Sequence, residues 1–439
     1  MDTIAAISTP RGTGGIAVIR LSGPDAIAIA SRHLSTLGGT TPHLFRINGS
    51  VLDQVVTTLY RAPHSYTGDD TVEFSCHGSL YVQQTLLQAL LDSGARLAEP
   101  GEFTRRAFLN GKLNLSQAEA VADLIDSTNA AAHTLALSQL RGGYAQELEQ
   151  LRQQLVDLAA LLELELDFSD EDVEFADRSR LLTLTRQTAT RVGALRQSFR
   201  LGNALKRGIP VAIVGRPNAG KSSLLNALLH DNRALVSEIP GTTRDTIEET
   251  FVLEGTAFRI IDTAGLRQSL DPIEQMGIQR TRDTAARADI ILYIHDATQP
   301  PHLAQQDLQQ LPRDGKHLLL IYNKSDLPGA ASPTPPGAIA LSAKTGQGLD
   351  RLTAALTAIA TYDQSQAPDM LVTNARHYEA LGHVGQALQQ VADGLQNGLP
   401  ADLVVIDLRD ALHHLGTITG QVTSDEVLGT IFSRFCIGK

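Results

Sequence analysis

The stretch "IPVAIVGRPNAGKSSLLNALL" (209–229) decides how the centre of this 439-residue chain folds. It opens on an apolar run bounded by Gly215, the length and composition of a buried strand. It closes on leucines at helical spacing. Between them, "GRPNAGKS" (215–222) fits G-x-x-x-x-G-K-S, and the strand–loop–helix context is the one that motif needs. Gly215 and Gly220 let backbone N–H groups approach phosphate oxygens. Lys221 reaches β/γ-phosphates and the Ser222 hydroxyl can bind Mg²⁺.

Further stretches follow in order. "DTAG" (262–265) comes after an apolar run; Asp262 suits the Mg²⁺ shell and the Gly265 N–H suits a γ-phosphate. "NKSD" (323–326) ends another run. The Asp326 carboxylate accepts from the N1–H and exocyclic amine of guanine; adenine lacks that donor pair and would strand it. "SAK" (342–344) can close over the base. Together they specify a GTPase rather than an ATPase. In "PGTTRD" (240–245), Thr243 is the switch threonine that completes Mg²⁺ coordination. Leu266 stands where Ras-like switches place a water-orienting glutamine, so another residue must align the water. Arg244 is one source of positive charge for the transition state.

Outward from this site the pattern divides the chain. "AFRIIDTAG", "ADIILYIHD", "HLLLIYNK" and "AIALSAK" are short apolar runs, most of them separated by helical segments, the alternation of a doubly wound parallel sheet over about 208–360. Residues 1 to about 116 read as mixed α and β. "SQAE" (116–119) is a capping box that opens a helical region with leucine stripes, and helical stripes return from about 370. The arrangement is a helical domain with an α/β domain inserted into it.

Composition narrows the class. Hydrophobic content of 42% supports ordinary cores. Two cysteines, 76 and 436, give no disulfide framework and suit a reducing cytosol. No signal peptide and no apolar run of membrane length is evident. A net charge of −11 is unlike a nucleic-acid binder, so RNA contact requires a basic partner or a local patch such as Arg105, Arg106 and Lys112. The acid-rich "ELELDFSDEDVEFAD" (163–177) reads as a solvated loop.

These motifs, with "GGIAVIRLSG", "PGEFTRRAFLNGKLNLSQAEAVADLI", "IEQMGI" and "FCIGK", resemble the MnmE (TrmE) family of tRNA modification GTPases along essentially the whole chain. The resemblance implies a multidomain protein: an N-terminal α+β folate-binding and dimerisation domain (1–116), an all-α helical domain (117–206 and 368–439) and an inserted Ras-like P-loop G domain (207–367). It implies a cytoplasmic homodimer that joins the flavoprotein MnmG (GidA) in a heterotetramer. That complex modifies carbon 5 of the wobble uridine of certain tRNAs with an aminomethyl or carboxymethylaminomethyl group, using a tetrahydrofolate-derived one-carbon unit. A regulatory GTP-binding switch, such as a ribosome-assembly GTPase, is the alternative that the G-domain motifs alone leave open.

By motif, the family's 5-formyl-tetrahydrofolate contacts fall on Arg20, Glu73, Lys112 and Lys439; on sequence alone these read as surface charges. Its GTP contacts fall on Asn218, Ala219, Gly220, Lys221, Ser222, Ser223, Ser237, Thr242, Thr243, Asp262, Thr263, Ala264, Gly265, Asn323, Lys324, Asp326, Ser342, Ala343 and Lys344. Ser222 and Thr243 match magnesium ligands. Asn218, with Ser237, Ile239 and Thr242, matches a potassium site. Glu274, Thr243 and Lys221 match catalytic positions, Glu274 as the residue that positions water. In "FCIGK" (435–439), Gly438 and Lys439 disfavour a prenylation signal. The resemblance instead makes Lys439 a folate contact and sets Cys436 near the chemistry. Cys76 reads as packing.

Overall fold

A computed structural model describes residues 2–10, 12–39, 41–167, 178–232, 249–262, 282–330, 334–365, 370–433 and 435–438. By compactness the chain divides into two units. One comprises residues 1–122, 139–160 and 408–439, the other 123–138 and 161–407.

The first unit is built on six strands: β1 (Ile4–Ile7), β2 (Ile16–Ser22), β3 (His43–Ile47), β4 (Ser50–Tyr60), β5 (Thr71–His77) and β6 (Arg96–Leu97). They pair in the order β3-β4-β5-β2-β1-β6. Side chains alternate across the sheet. Ala17, Ile19 and Leu21 of β2 and Val72, Phe74 and Cys76 of β5 enter one core under α1 (Ala26–Ser31) and α2 (Leu80–Asp92). Arg20 and Glu73 therefore point to the other face. There α3 (Glu102–Leu109) seats Phe103 against Ile4, Ala6 and Ala98.

Helix α4 (Leu115–Asp126) begins earlier than the "SQAE" box suggests. Asn114 is the cap: its Oδ1 accepts from the Gln117 N–H at 2.9 Å and from the Ser116 hydroxyl at 2.8 Å. Gln117 Oε1 accepts in return from the Asn114 N–H at 3.1 Å. The box is thus Asn114–Gln117, because Asn is as good a cap as Ser and stands two residues sooner. The helices that follow are α5 (Ala130–Leu140), α6 (Gly143–Asp167), α7 (Arg178–Gln197) and α8 (Phe199–Arg207).

The second unit holds a sheet of β7 (Ile209–Gly215), β8 (Glu249–Leu253), β9 (Thr256–Ile260), β10 (Ile290–Asp296), β11 (His317–Asn323) and β12 (Ile339–Ala340), in the order β12-β11-β10-β7-β9-β8. Five strands are parallel, as the alternation predicts. β8 is an antiparallel edge on β9, which the pattern does not show. Helices cover both faces. α9 (Lys221–Asn232) and α11 (Leu349–Ser365) bury Leu224, Leu228, Leu352 and Leu356 on one. α10 (Pro301–Leu308) buries Ala304 on the other.

Beyond the sheet lie α12 (Ala375–Gln396), α13 (Ala401–Thr419) and α14 (Asp425–Phe432). α12 packs along α7. The Ser198 hydroxyl accepts from the Val372 N–H at 3.0 Å, and a Cβ at Gly202 would lie 2.2 Å from the Val372 oxygen. The chain thus enters and leaves the α/β segment at one place. No helix among the described residues is long and apolar enough to cross a membrane.

Candidate functional site

The loop after β7 has the backbone a phosphate cradle requires. Gly215 (φ 151°), Asn218 (φ 60°) and Gly220 (φ 98°) occupy positive φ. Neither glycine admits a side chain: a Cβ would lie 2.2 Å from the Ile294 oxygen at Gly215 and 2.1 Å from Asn323 Nδ2 at Gly220. Lys221, at the start of α9, folds back on its own loop. Its Nζ donates to the carbonyls of Gly215 (2.8 Å) and Arg216 (2.9 Å), and burial lowers its pKa. Arg216 is held from the side, its Nε and Nη2 both 2.8 Å from the Asp307 carboxylate of α10. The buried Tyr293 hydroxyl donates to the same carboxylate at 2.7 Å. Nothing in the motif spacing announces this anchor.

"NKSD" turns from β11 directly beneath the loop. Asn323 is 3% exposed. Its Nδ2 donates to the Ala219 carbonyl at 2.8 Å, and its Oδ1 accepts from the Ala343 N–H at 2.9 Å. One amide therefore ties the phosphate loop to "SAK". Lys324 (φ 64°) donates to Asp296 Oδ2 at 2.6 Å. Ser342 is buried and its hydroxyl accepts from the Thr345 N–H at 3.2 Å. Asp326 and Lys344 are exposed, as are Asn218 and Ser223.

Ser222 is half-buried, and Asp262 (φ 61°) accepts from the Thr284 hydroxyl at 3.4 Å. A hydroxyl and a carboxylate are the oxygen donors Mg²⁺ takes, so these two residues fit that ion. Ser237, Ile239, Thr242, Thr243, Arg244, Thr263, Ala264, Gly265, Leu266, Glu274 and Lys439 lie outside the described residues.

In the first unit, strand register brings Arg20 and Glu73 together as direct partners, with Ala6 on the other side of Arg20. Arg20 Nε donates to Glu73 Oε1 at 2.8 Å. The guanidinium lies 5.3 Å from the Tyr66 ring centroid and 5.4 Å from that of Phe103, a stacked cation. Tyr66 bonds Thr104 at 2.8 Å through hydroxyls. Lys112 donates to the Pro63 carbonyl at 3.0 Å, in the same 61–70 loop that carries Tyr66. A planar cation, a carboxylate and exposed aromatic surface fit a flat, hydrogen-bonding, carboxylated ligand such as a folate.

The stretch 435–438 is docked onto this unit. Helix α14 buries Phe432, with Phe435 beyond it, against Leu115 and Ala118. Ile437 then bridges Pro100, the Gly101 N–H donates to the Cys436 carbonyl at 3.3 Å, and the Ser8 hydroxyl donates to the Gly438 carbonyl at 3.1 Å. Gly438 (φ 100°) admits no Cβ, which would meet the Ile7 oxygen at 2.2 Å. So residues 436–438 lead to the end of β1, one residue from the Ala6–Arg20 pair. The Cys436 side chain is exposed. Cys76 is buried, and that burial pushes its thiol up to about 11, as packing requires.

The Arg105–Arg106–Lys112 patch does not form. Arg106 is 3% exposed and bonds Asp2 and Glu102, and Arg105 lies 3.8 Å from Asp425. Helix α3 turns Arg106 inward, where the acids already neutralise it.

Two family descriptions match: "GTP-binding protein TrmE N-terminus" over residues 3–112 and "MnmE helical domain" over 115–436. The chain belongs to the MnmE (TrmE) family. Proteins named tRNA modification GTPase MnmE align along it end to end. That of Parabacteroides distasonis is 49% identical over 100% of both chains. That of Cytophaga hutchinsonii is 47% identical over 100% of this chain and 98% of its own. That of Christiangramia forsetii is 45% identical over 100% and 99%. Among solved structures, the G domain of the T. maritima FeoB iron transporter covers 35% of this chain and 98% of its own at 24% identity, with a TM-score of 0.25.

Proposed function

We propose that this MnmE-family chain hydrolyses GTP to drive modification of carbon 5 of the wobble uridine in tRNA, together with a flavoprotein partner and a tetrahydrofolate-derived one-carbon unit. The observation that carries it is the pairing of two sites in one chain: the Asn323-latched phosphate loop, and the Arg20–Glu73 face to which residues 435–438 are docked. A switch GTPase needs only the first.

In the G domain, taken as 207–367, Lys221 leaves the Gly215 and Arg216 carbonyls for the β/γ-phosphates. Asp326 reads guanine, and "SAK" closes over it. Ser222 and Thr243 hold magnesium, with Asp262 near it; the ion supplies charge neutralisation at the phosphates. Glu274 orients the attacking water. Asn218, Thr242 and the carbonyls of Ser237 and Ile239 hold potassium, which supplies the positive charge an arginine finger supplies elsewhere.

The N-terminal domain (1–116) holds folate through Arg20, Glu73 and Lys112, with Lys439 following the docked Gly438. It also carries the homodimer contact. Ile16, Leu44 and Tyr60, exposed on the sheet face away from α1 and α2, support that reading. The helical domain (117–206 and 368–439) carries the inserted G domain, a reading supported by the Ser198–Val372 closure. The chain acts in the cytoplasm. GTP turnover by the purified protein in KCl and in NaCl is the test: fast turnover in K⁺ and slow turnover in Na⁺ is expected. Equal rates reject the potassium assignment and return Arg244 as the source of charge.

A further inference from the structure

Helix α10 carries an acid on the side it packs against the sheet. Ala304 and Leu308 lie there with Val214 and Tyr293, and Asp307, three residues after Ala304, shares that side. A carboxylate so placed is costly unless it is partnered. Its partners come from two other elements. The Tyr293 hydroxyl of β10 donates to Oδ2 at 2.7 Å, from a residue 2% exposed. Arg216 approaches from the phosphate loop as a fork, Nε to Oδ2 and Nη2 to Oδ1, both at 2.8 Å. The bond from Arg216 is the main cause that holds the Asp307 carboxyl below its ordinary value, so it is ionised and accepts from both partners. Burial, and then Asp307, push the Tyr293 phenol up, so it stays protonated and donates.

The fork fixes backbone as well as side chain. The Arg216 carbonyl accepts from the Ala219 N–H at 3.3 Å and, like the Gly215 carbonyl, from Lys221 Nζ. Gly215 itself stands opposite Ile294, the residue after Tyr293. The loop is thus held at Arg216 from α10 and at Ala219 from β11, where Asn323 donates. Only Pro217 and Asn218 lie between the two holds. A loop ordered before its ligand arrives spares the ligand the entropy of ordering it. Arg216 shares the motif with Lys221, yet its guanidinium is committed to α10.

We propose that Asp307 and Tyr293 are positioning residues for GTP: through Arg216 they hold the phosphate loop in its binding shape, and Arg216 serves as the loop's tether rather than as a charge on the transferring phosphate. The inference rests on the GTP reading of that loop. It places the cost of losing the tether in nucleotide affinity, with the chemical step at saturation little altered.

The test is a double-mutant cycle on the full-length protein: Arg216→Ala, Asp307→Ala and both together, read by binding of N-methylanthraniloyl-GDP and by GTP turnover in KCl. The pair is partly exposed, so the low end for a charge-assisted bond applies: each single variant should weaken GDP binding and raise KM about tenfold, with kcat within about threefold of wild type. The double variant should lie within about threefold of either single, because the second change has nothing left to remove. Arg216→Lys, which keeps the charge and loses the fork, should behave like Arg216→Ala. Tyr293→Phe, which leaves the fork intact, should raise KM by only about threefold. Arg216→Ala removes an exposed side chain, which keeps the test readable if Asp307→Ala fails to fold. Affinity and KM within about twofold of wild type in Arg216→Ala overturn the proposal. So does a fall in kcat at unchanged KM, which makes Arg216 a transition-state charge. A double variant whose loss is the product of the two single losses makes the residues independent and also overturns it, as does an Arg216→Lys variant with wild-type KM. If wild-type protein binds neither GDP nor GTP, the GTP reading of the loop itself falls, and this tether with it.

Discussion

Asn323→Ala should unlatch the nucleotide site. The side chain makes two buried bonds, to the Ala219 carbonyl at 2.8 Å and from the Ala343 N–H at 2.9 Å. Ala219 is 2% exposed and Ala343 9%, so truncation strands a donor and an acceptor away from solvent. Each stranded group costs about 1–3 kcal/mol, giving about 2–6 kcal/mol together. Water entering the gap offsets part of this, so about 1.4 kcal/mol, a factor of ten, is the smallest effect compatible with the latch. Hydrogen exchange read by mass spectrometry suits the question, because the Ala343 amide is itself the donor and the chain has no tryptophan to report unfolding optically. Protection in the peptide spanning 341–345 should fall by about ten- to a thousandfold without nucleotide, and GTP affinity should fall with it. Gly220→Ala should do comparable damage from the other side, since its Cβ would displace the same Nδ2. Protection and GTP affinity within a factor of about three of wild type in Asn323→Ala would refute the latch.

Three further outcomes are expected. Arg20→Ala should weaken 5-formyl-tetrahydrofolate binding by about tenfold or more in calorimetry, the worth of a charge-assisted bond, and Glu73→Ala should weaken it by releasing Arg20; unchanged affinity in both removes the folate assignment. Asp326→Asn should exchange GTP for xanthosine triphosphate in competition binding, because one acceptor becomes a donor; retained GTP preference removes the guanine assignment. Hydrogen bonding to Arg96 is the main cause that holds Asp2 at about 2, down from 3.8. Its contribution is therefore present above the unfolded value and lost as pH falls from near 4 through 2. Asp2→Asn should flatten the acid limb of the unfolding curve over that window, and an unaltered limb would show the Asp2–Arg96 pair to be idle.

Legibility followed sequence distance. The phosphate loop was readable because its glycines, Lys221 and Ser222 sit within eight residues whose strand and helix are set by local pattern. Asn323 was readable as part of "NKSD", yet its task of joining Ala219 to Ala343 depends on β11 lying two strands from β7. The Arg216–Asp307–Tyr293 anchor spans three elements and leaves no local signal. Arg20 and Glu73 read as surface charges until the β2–β5 register made them partners. Tyr66 and Phe103, which flank the guanidinium, carry no local signal, because an isolated aromatic looks like core. The cap of α4 is ambiguous in sequence for a smaller reason: Asn114 and Ser116 are both good caps, and only the bonds distinguish them. Gly438 needs its missing side chain because of contact with Ile7, a contact between opposite ends of the chain that leaves no local signal.

Mass spectrometry of tRNA nucleosides from cells lacking this gene bears most directly on coupling between the two sites. The deletion should lack aminomethyl and carboxymethylaminomethyl groups at carbon 5 of the wobble uridine. Wild-type protein should restore them, whereas Lys221→Ala and Arg20→Ala should each fail, one for want of hydrolysis and one for want of the one-carbon donor. Undiminished modification in the deletion, or full restoration by Lys221→Ala, would contradict a GTP-driven role in wobble uridine modification.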